Sequence, residues 1–312
     1  MFRKLFLSLF IFPLFLSAQD ADTMQLVRSV TLNYDNDVFT QSDCYYTQGI
    51  FLNMNLPILR KNPISKILMR LPKGHRESFG ISYNNTSYTP TSIKSDSVLV
   101  GDRPFAGTIY FGLNRVTCNS DKKIRLFTEL DLGWIGPAAM GYQIQRDIHK
   151  WTNNPTPHGW DNQIRNDVII NYTIKLEKGL LTKKIIDIVG YGIVNGGLMF
   201  NDAGLGMTTK IGIKNPYFDL PGFSKKFQCW IFGNAEDRII ARNGTLQGGF
   251  LDTKSVYIII PEYMKRSVYS ISAGIVFAYE KVHVNLSETF ISPEFRNASS
   301  HQWGRIGVEV MF

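Results

Sequence analysis

Gln145 and His149 lie four residues apart in a stretch, Glu129 to Asp167, that is dense in polar and aromatic residues. On a helix that spacing puts both side chains on one face, one turn from each other. An imidazole there can take a proton from water, and an amide one turn away can orient that water or donate to an oxyanion. A solvated loop histidine satisfies the same spacing. A second cluster, NYDNDVFTQSDCYYTQG, holds Asp35, Asn36, Asp37, Asp43 and Thr47. Carboxylate and amide oxygens gathered in this way suit a hard cation such as Ca²⁺. An Asx-rich hairpin turn explains their polarity but not their place beside a strand end. A third cluster runs Gly101, Asp102, Arg103, Pro104, Phe105, Ala106, Gly107. The rival chemistry is an activated serine; Ser42 and Ser87 fall in candidate loops, and neither has a context that demands a nucleophile.

The elements that must position these clusters read as strands. Val30, Leu32 and Tyr34 alternate with polar neighbours, as do Ile50, Leu52 and Met54, then Phe79, Ile81 and Tyr83. Further segments follow at Phe105 to Val116, Lys123 to Trp134, Asp167 to Glu177, 184–199, 203–213, 226–241, 264–279, Lys281 to Phe290 and Trp303 to Phe312. About twelve segments of roughly ten residues are the pattern of a transmembrane antiparallel β-barrel. Gly136-Pro137 breaks the strand period and predicts a short helix in the long connection between strands 5 and 6. A secreted β-sandwich is the alternative, and it would need half of the outward rows to form a core.

Met1 to Ala18 reads as a secretory signal peptide, with Arg3 and Lys4 ahead of an apolar run and small residues at its end. Residues 19–312 then form one barrel domain. A hydrophobic fraction of 44% with 13% aromatics fits a wall whose lipid-facing and lumen-facing residues cancel in the average. Cys44, Cys118 and Cys229 are odd in number and far apart, so no disulfide framework is expected.

With both termini at the periplasmic end, connections 1–2, 3–4 and 5–6 share the outer end, and topology alone carries the three polar clusters to one mouth. That convergence is what an active site needs. The formal charge of +8 falls largely on Lys122-Lys123, Lys183-Lys184 and Lys225-Lys226 at the opposite rim, suited to anionic headgroups. No aromatic-basic module accompanies them, so a nucleic-acid partner is not indicated. Leu56 to Arg76 is long, basic and partly amphipathic, fit to lie on the inner leaflet or to run as a plain extended loop.

NYDNDVF with YYTQG, then DRPFAG, then GPAAMGYQIQRDIHKW with PHGWDNQI, resembles the outer-membrane lipid A 3'-O-deacylase family, LpxR. The resemblance implies a twelve-stranded barrel in the outer membrane with a calcium-dependent esterase site at its outward mouth, and lipid A or lipopolysaccharide as substrate. It implies a site role for Asn36 and Thr47, calcium at Asp37, and a water-activating His149 paired with Gln145. Phosphate contacts would fall to Lys94 and Arg103, the remnant of a longer basic run. Phe312, closing an amphipathic strand, looks like the signature read by the barrel assembly machinery. The chain has Pro155 where the family member compared carries a glutamate, six residues after the histidine. A phospholipase-type esterase on the same barrel, or a channel or lapsed enzyme, are the alternatives.

Overall fold

The alternation along the chain becomes the two faces of one closed wall in the computed structural model, which describes residues 28–37, 44–72, 76–219, 226–252 and 254–312. The signal-peptide segment, Ser42, Asp43 and Lys225 lie outside these residues. Among the described residues the strands are β1 (Ser29–Asn36), β2 (Tyr45–Asn55), β3 (Arg76–Thr89), β4 (Ala106–Asn119), β5 (Ile124–Ile135), β6 (Asp167–Thr182), β7 (Ile186–Gly197), β8 (Phe200–Ile213), β9 (Phe227–Asn243), β10 (Ser267–Tyr279), β11 (Val282–Ile291) and β12 (His301–Met311). Their ends differ from the sequence expectation by a few residues, because ladder pairing sets a strand's end and polarity does not.

Each strand pairs antiparallel with its chain neighbours, and β12 closes on β1, from Ser29 opposite Met311 to Asn36 opposite Gly304. Closure leaves no edge, which is the condition for crossing a bilayer with strands. No helix among the described residues is long and apolar enough to cross a membrane.

Phe111, Leu132, Ile170, Ile306 and Val308 stand exposed on the outer face. These outward rows are a surface and not a core, which removes the sandwich. The inner face is polar and bonded to itself. Ser82 donates to Glu129 Oε1 at 2.7 Å and Asn114 Nδ2 donates to the same oxygen at 3.3 Å. Gly112 is required there, since a Cβ would come within 2.4 Å of both Glu129 and Ser82. Arg305 donates to both oxygens of Asp35 at 2.6 and 2.7 Å across the β1–β12 seam.

The end carrying the described termini is partly filled from within. Tyr217 and Phe218, which follow β8, turn into the lumen, where the Cys118 thiol and the Ser120 hydroxyl donate to the Phe218 carbonyl. Arg125 stacks over the Tyr217 ring at 4.5 Å and donates to the Tyr217 carbonyl. Phe127 shares the inward parity, but Tyr217 and Phe218 provide the fill. The β2–β3 connection is not an extended loop: two 3-10 turns, Pro57–Lys61 and Pro63–Lys66, fold it back onto the outer wall.

Candidate active site

Asn36 ends β1, Asp37 follows it, and Thr47 faces Asp37 from β2. Thr47 is the extra residue of a β-bulge, where β2 slips one position against β3 between Tyr46 and Gln48. A bulge re-aims a side chain, and here the Thr47 hydroxyl donates to Asp37 Oδ2 at 3.4 Å, both residues buried. Asn36 Nδ2 donates to the Tyr34 hydroxyl at 2.9 Å. Asp35, grouped with these residues by sequence, is held instead by Arg305 and by Tyr46, whose hydroxyl donates at 3.1 Å.

The next position, Gln48, donates weakly to Ser87 Oγ at 3.5 Å. Ser87 is not in a loop; it sits in β3, fully buried. A Cβ on Gly141 would lie 3.1 Å from that hydroxyl and 2.7 Å from the Trp160 ring. Gly141 opens helix α1 (Gly141–Thr152). The helix does not begin at Pro137: a 3-10 turn, Pro137–Ala139, comes first, and Met140 at φ 61° breaks the two apart. Asn85 donates to the Ala139 carbonyl at 2.9 Å, so β3 fixes where α1 starts.

One turn into α1, Gln145 is buried and accepts the Trp160 indole N–H at 2.7 Å on Oε1. That bond settles the amide's orientation, because an indole nitrogen only donates. Gln145 Nε2 is therefore the donor end, and it is buried with no hydrogen-bond partner among the described residues. A buried N–H₂ without an acceptor costs about 1–3 kcal/mol, which a substrate or intermediate oxygen would recover.

One turn further, His149 Nδ1 lies 2.6 Å from the Pro155 carbonyl oxygen. A carbonyl only accepts, so Nδ1 carries a proton, and in the neutral imidazole the lone pair is then on Nε2. The turn that makes this bond starts at Asn153, a left-handed residue at φ 58° whose N–H returns to the His149 carbonyl. Position 155 thus orients the histidine through its backbone.

The third cluster braces this arrangement. Phe105 packs on Trp160 at 5.0 Å between centroids, with Ile93 and Tyr142 alongside. The backbone N–H groups of His158 and Ile164 donate to the Ile93 and Phe105 carbonyls. Arg103 is fully buried: its guanidinium forms an ion pair with Glu294, donates to Thr245 Oγ1 at 2.7 Å and covers the Tyr88 ring at 4.3 Å. Thr245 belongs to a short helical turn, α2 (Gly244–Gln247). Arg103 therefore joins three outer connections, and its terminal nitrogens face protein groups and not an open surface. Tyr257 also bridges connections by accepting the Gly101 N–H at 2.7 Å, and burial raises its phenol above the usual range. Lys94 stands exposed on the β3–β4 connection. Trp160 and the Pro155 carbonyl escaped the sequence reading, because their roles depend on tertiary hydrogen bonds that no spacing encodes.

Asp37, Thr47 and Asn36 offer hard oxygen donors, the chemistry that suits Ca²⁺. Among the described residues no group of three or more His, Cys, Asp or Glu side chains is placed to hold a metal ion by itself. Calcium takes six to eight oxygens, so backbone carbonyls, water and substrate oxygens would complete the set. The donor type fits the ion.

The profile of a family described as outer membrane protein LpxR matches residues 5–312. The structure of LpxR from Salmonella typhimurium superposes with a TM-score of 0.71 at 21% identity, covering 91% of this chain and 100% of that one. The β domain of the Bordetella autotransporter BrkA gives 0.47 at 9% identity, covering 92% and 100%. No curated protein sequence matches.

Proposed function

The chain belongs to the LpxR family of outer membrane proteins, and from that membership we propose that it is a lipid A 3'-O-deacylase, an esterase that hydrolyses the ester joining the acyloxyacyl group to the 3'-position. The observation that carries this reading is the fixed tautomer of His149. With Nδ1 donating to Pro155, Nε2 is the proton acceptor, one helical turn from the unpartnered N–H₂ of Gln145.

In the proposed reaction a water attacks the ester carbonyl as His149 Nε2 takes its proton. Negative charge gathers on the carbonyl oxygen, and Gln145 Nε2 donates to it. Collapse breaks the bond to the 3'-oxygen, which recovers the proton from the imidazolium. The products are a free fatty acid and the 3'-alcohol. Asp37, Thr47 and Asn36 would hold a calcium ion, which supplies Lewis-acid polarisation of the carbonyl when bound. Lys94 is assigned to a lipid A phosphate at the mouth. Arg103 is assigned to holding the outer connections together, since its guanidinium is already engaged.

A phospholipid ester is the second reading, and the engagement of Arg103 favours it, because one phosphate contact fewer relaxes the demand for a diphosphorylated substrate. Mass spectrometry of lipid A from cells with and without the protein separates the two. Loss of the 3'-acyloxyacyl mass only when the protein is present supports the first. Unchanged lipid A beside newly formed lysophospholipid would replace it with the second.

A further inference from the structure

The β2–β3 connection covers a patch of wall that ought to face lipid. Glu77 and Arg115 share the outward parity of Tyr83 and Phe111, and Thr128 and Tyr172 share that of Leu132 and Ile170. Charged and hydroxyl groups on a lipid-facing wall are costly in hydrocarbon. Here they are bonded to the connection. Arg115 donates to Glu77 at 2.6 Å and to the Leu68 carbonyl at 3.1 Å. Thr128 donates to the Met69 carbonyl at 3.2 Å, Leu71 N–H donates to Thr117 at 3.1 Å, and the Tyr172 hydroxyl accepts from Met69 N–H at 2.9 Å. Leu68 is buried beneath. The segment is therefore docked on the wall, and the polar residues of the wall serve its backbone.

Thr128 lies four residues into β5 from the periplasmic end, roughly 13 Å along the strand. The docked segment thus occupies the inner-leaflet half of the barrel, continuous with the exposed Ile170 and Leu176 of the lipid-facing belt. Its free side has two parts. Ile58, Ile64, Ile67 and Met69 point away from the protein and are exposed, Ile67 at 60%. Arg60, Lys61, Lys66 and Arg70 are exposed beside them, and residues 56–72 contain no acidic residue. Apolar side chains flanked by unopposed bases are the composition of a segment lying at the surface of an anionic leaflet.

We propose that residues 56–72 form a fixed strap that binds anionic phospholipids of the inner leaflet, with Arg60, Lys61, Lys66 and Arg70 on the headgroup phosphates and the exposed isoleucines and Met69 among the acyl chains. This lipid-binding surface lies at the opposite end of the barrel from the active site and does not depend on the activity assigned there.

The test places a reporter on the strap. Full-length protein carrying Ile67→Trp is reconstituted in bilayers of phosphatidylglycerol and phosphatidylcholine, with brominated chains on one lipid or the other. The quenching gained over the parent reports which lipid touches position 67. Brominated phosphatidylglycerol is expected to quench more strongly at equal mole fraction. R60Q/K61Q/K66Q/R70Q is expected to reduce that preference at least about tenfold, given the strength of each base at an anionic surface, while heat-modifiable gel migration shows the barrel intact. If the fourfold variant does not fold, R60Q/K61Q reads the same loss at smaller size. Equal quenching by both lipids, or a preference that survives the substitutions, would overturn the proposal. Quenching by neither would also overturn it, showing water, or a second copy if the protein dimerises, on the strap.

Discussion

The Pro155 carbonyl orients His149 with no carboxylate at that position. Because the bond uses backbone, Pro155→Ala is expected to keep hydrolysis within a few-fold of the parent, measured as fatty-acid release by the folded protein. A loss of a hundredfold would mean that the proline ring, and not its carbonyl, holds the site. Gln145→Ala removes one donor and is expected to cost about 10²-fold in kcat. Trp160→Phe keeps the ring but frees the Gln145 amide to flip, and a drop toward the Gln145→Ala level would show that the indole N–H sets its orientation. Asp37→Asn is expected to raise the calcium needed to restore activity after chelation, because a hard-cation site loses a charge. Full activity in excess chelator would remove the metal. The four-residue spacing of Gln145 and His149 was legible in the chain; the direction of each side chain was not, since Trp160 and Pro155 set it through the tertiary fold.

Elements place these residues by means partly visible in sequence. Strand parity assigned the wall's faces, and Gly136-Pro137 marked the end of β5, because both are local effects. The start of α1 is not local. It is set where Asn85 meets Ala139 and Gly141 fits against Ser87 and Trp160, so the helix begins four residues after Pro137. Arg103 shows the same limit: a basic residue in a loop motif reads as a substrate contact until its partner, 191 residues away, is seen. Arg103→Ala is expected to leave the half-buried Glu294 without its cation, at a cost of no more than about 3 kcal/mol, measured by urea unfolding in vesicles. R103A/E294A is expected to cost less than the two single changes together. Additive losses would show that the two groups do not act as a pair.

At the scale of the whole molecule, closure of β12 on β1 removes every edge, and Tyr217 and Phe218 fill part of the lumen at the periplasmic end. Planar-bilayer recordings are therefore expected to show no steady conductance, and removal of residues 217–219 is expected to create one. An open channel in the parent would return the non-enzymatic reading. The barrel itself was legible because a period of two, repeated about twelve times, admits few other solutions. The plug was not, because a connection's path into a lumen leaves no periodic trace. Deleting Phe312, whose N–H bonds to the Arg28 carbonyl at the seam, is expected to lower the yield of heat-modifiable barrel. The central claim is that His149 at the outward mouth is the base for lipid A deacylation. Its most direct test is the mass spectrum of lipid A from cells making the parent or His149→Ala at equal levels of folded barrel. The 3'-deacylated mass is expected with the parent and absent with His149→Ala, a rate loss of roughly two to four orders of magnitude. Equal deacylation by the two proteins would contradict the account.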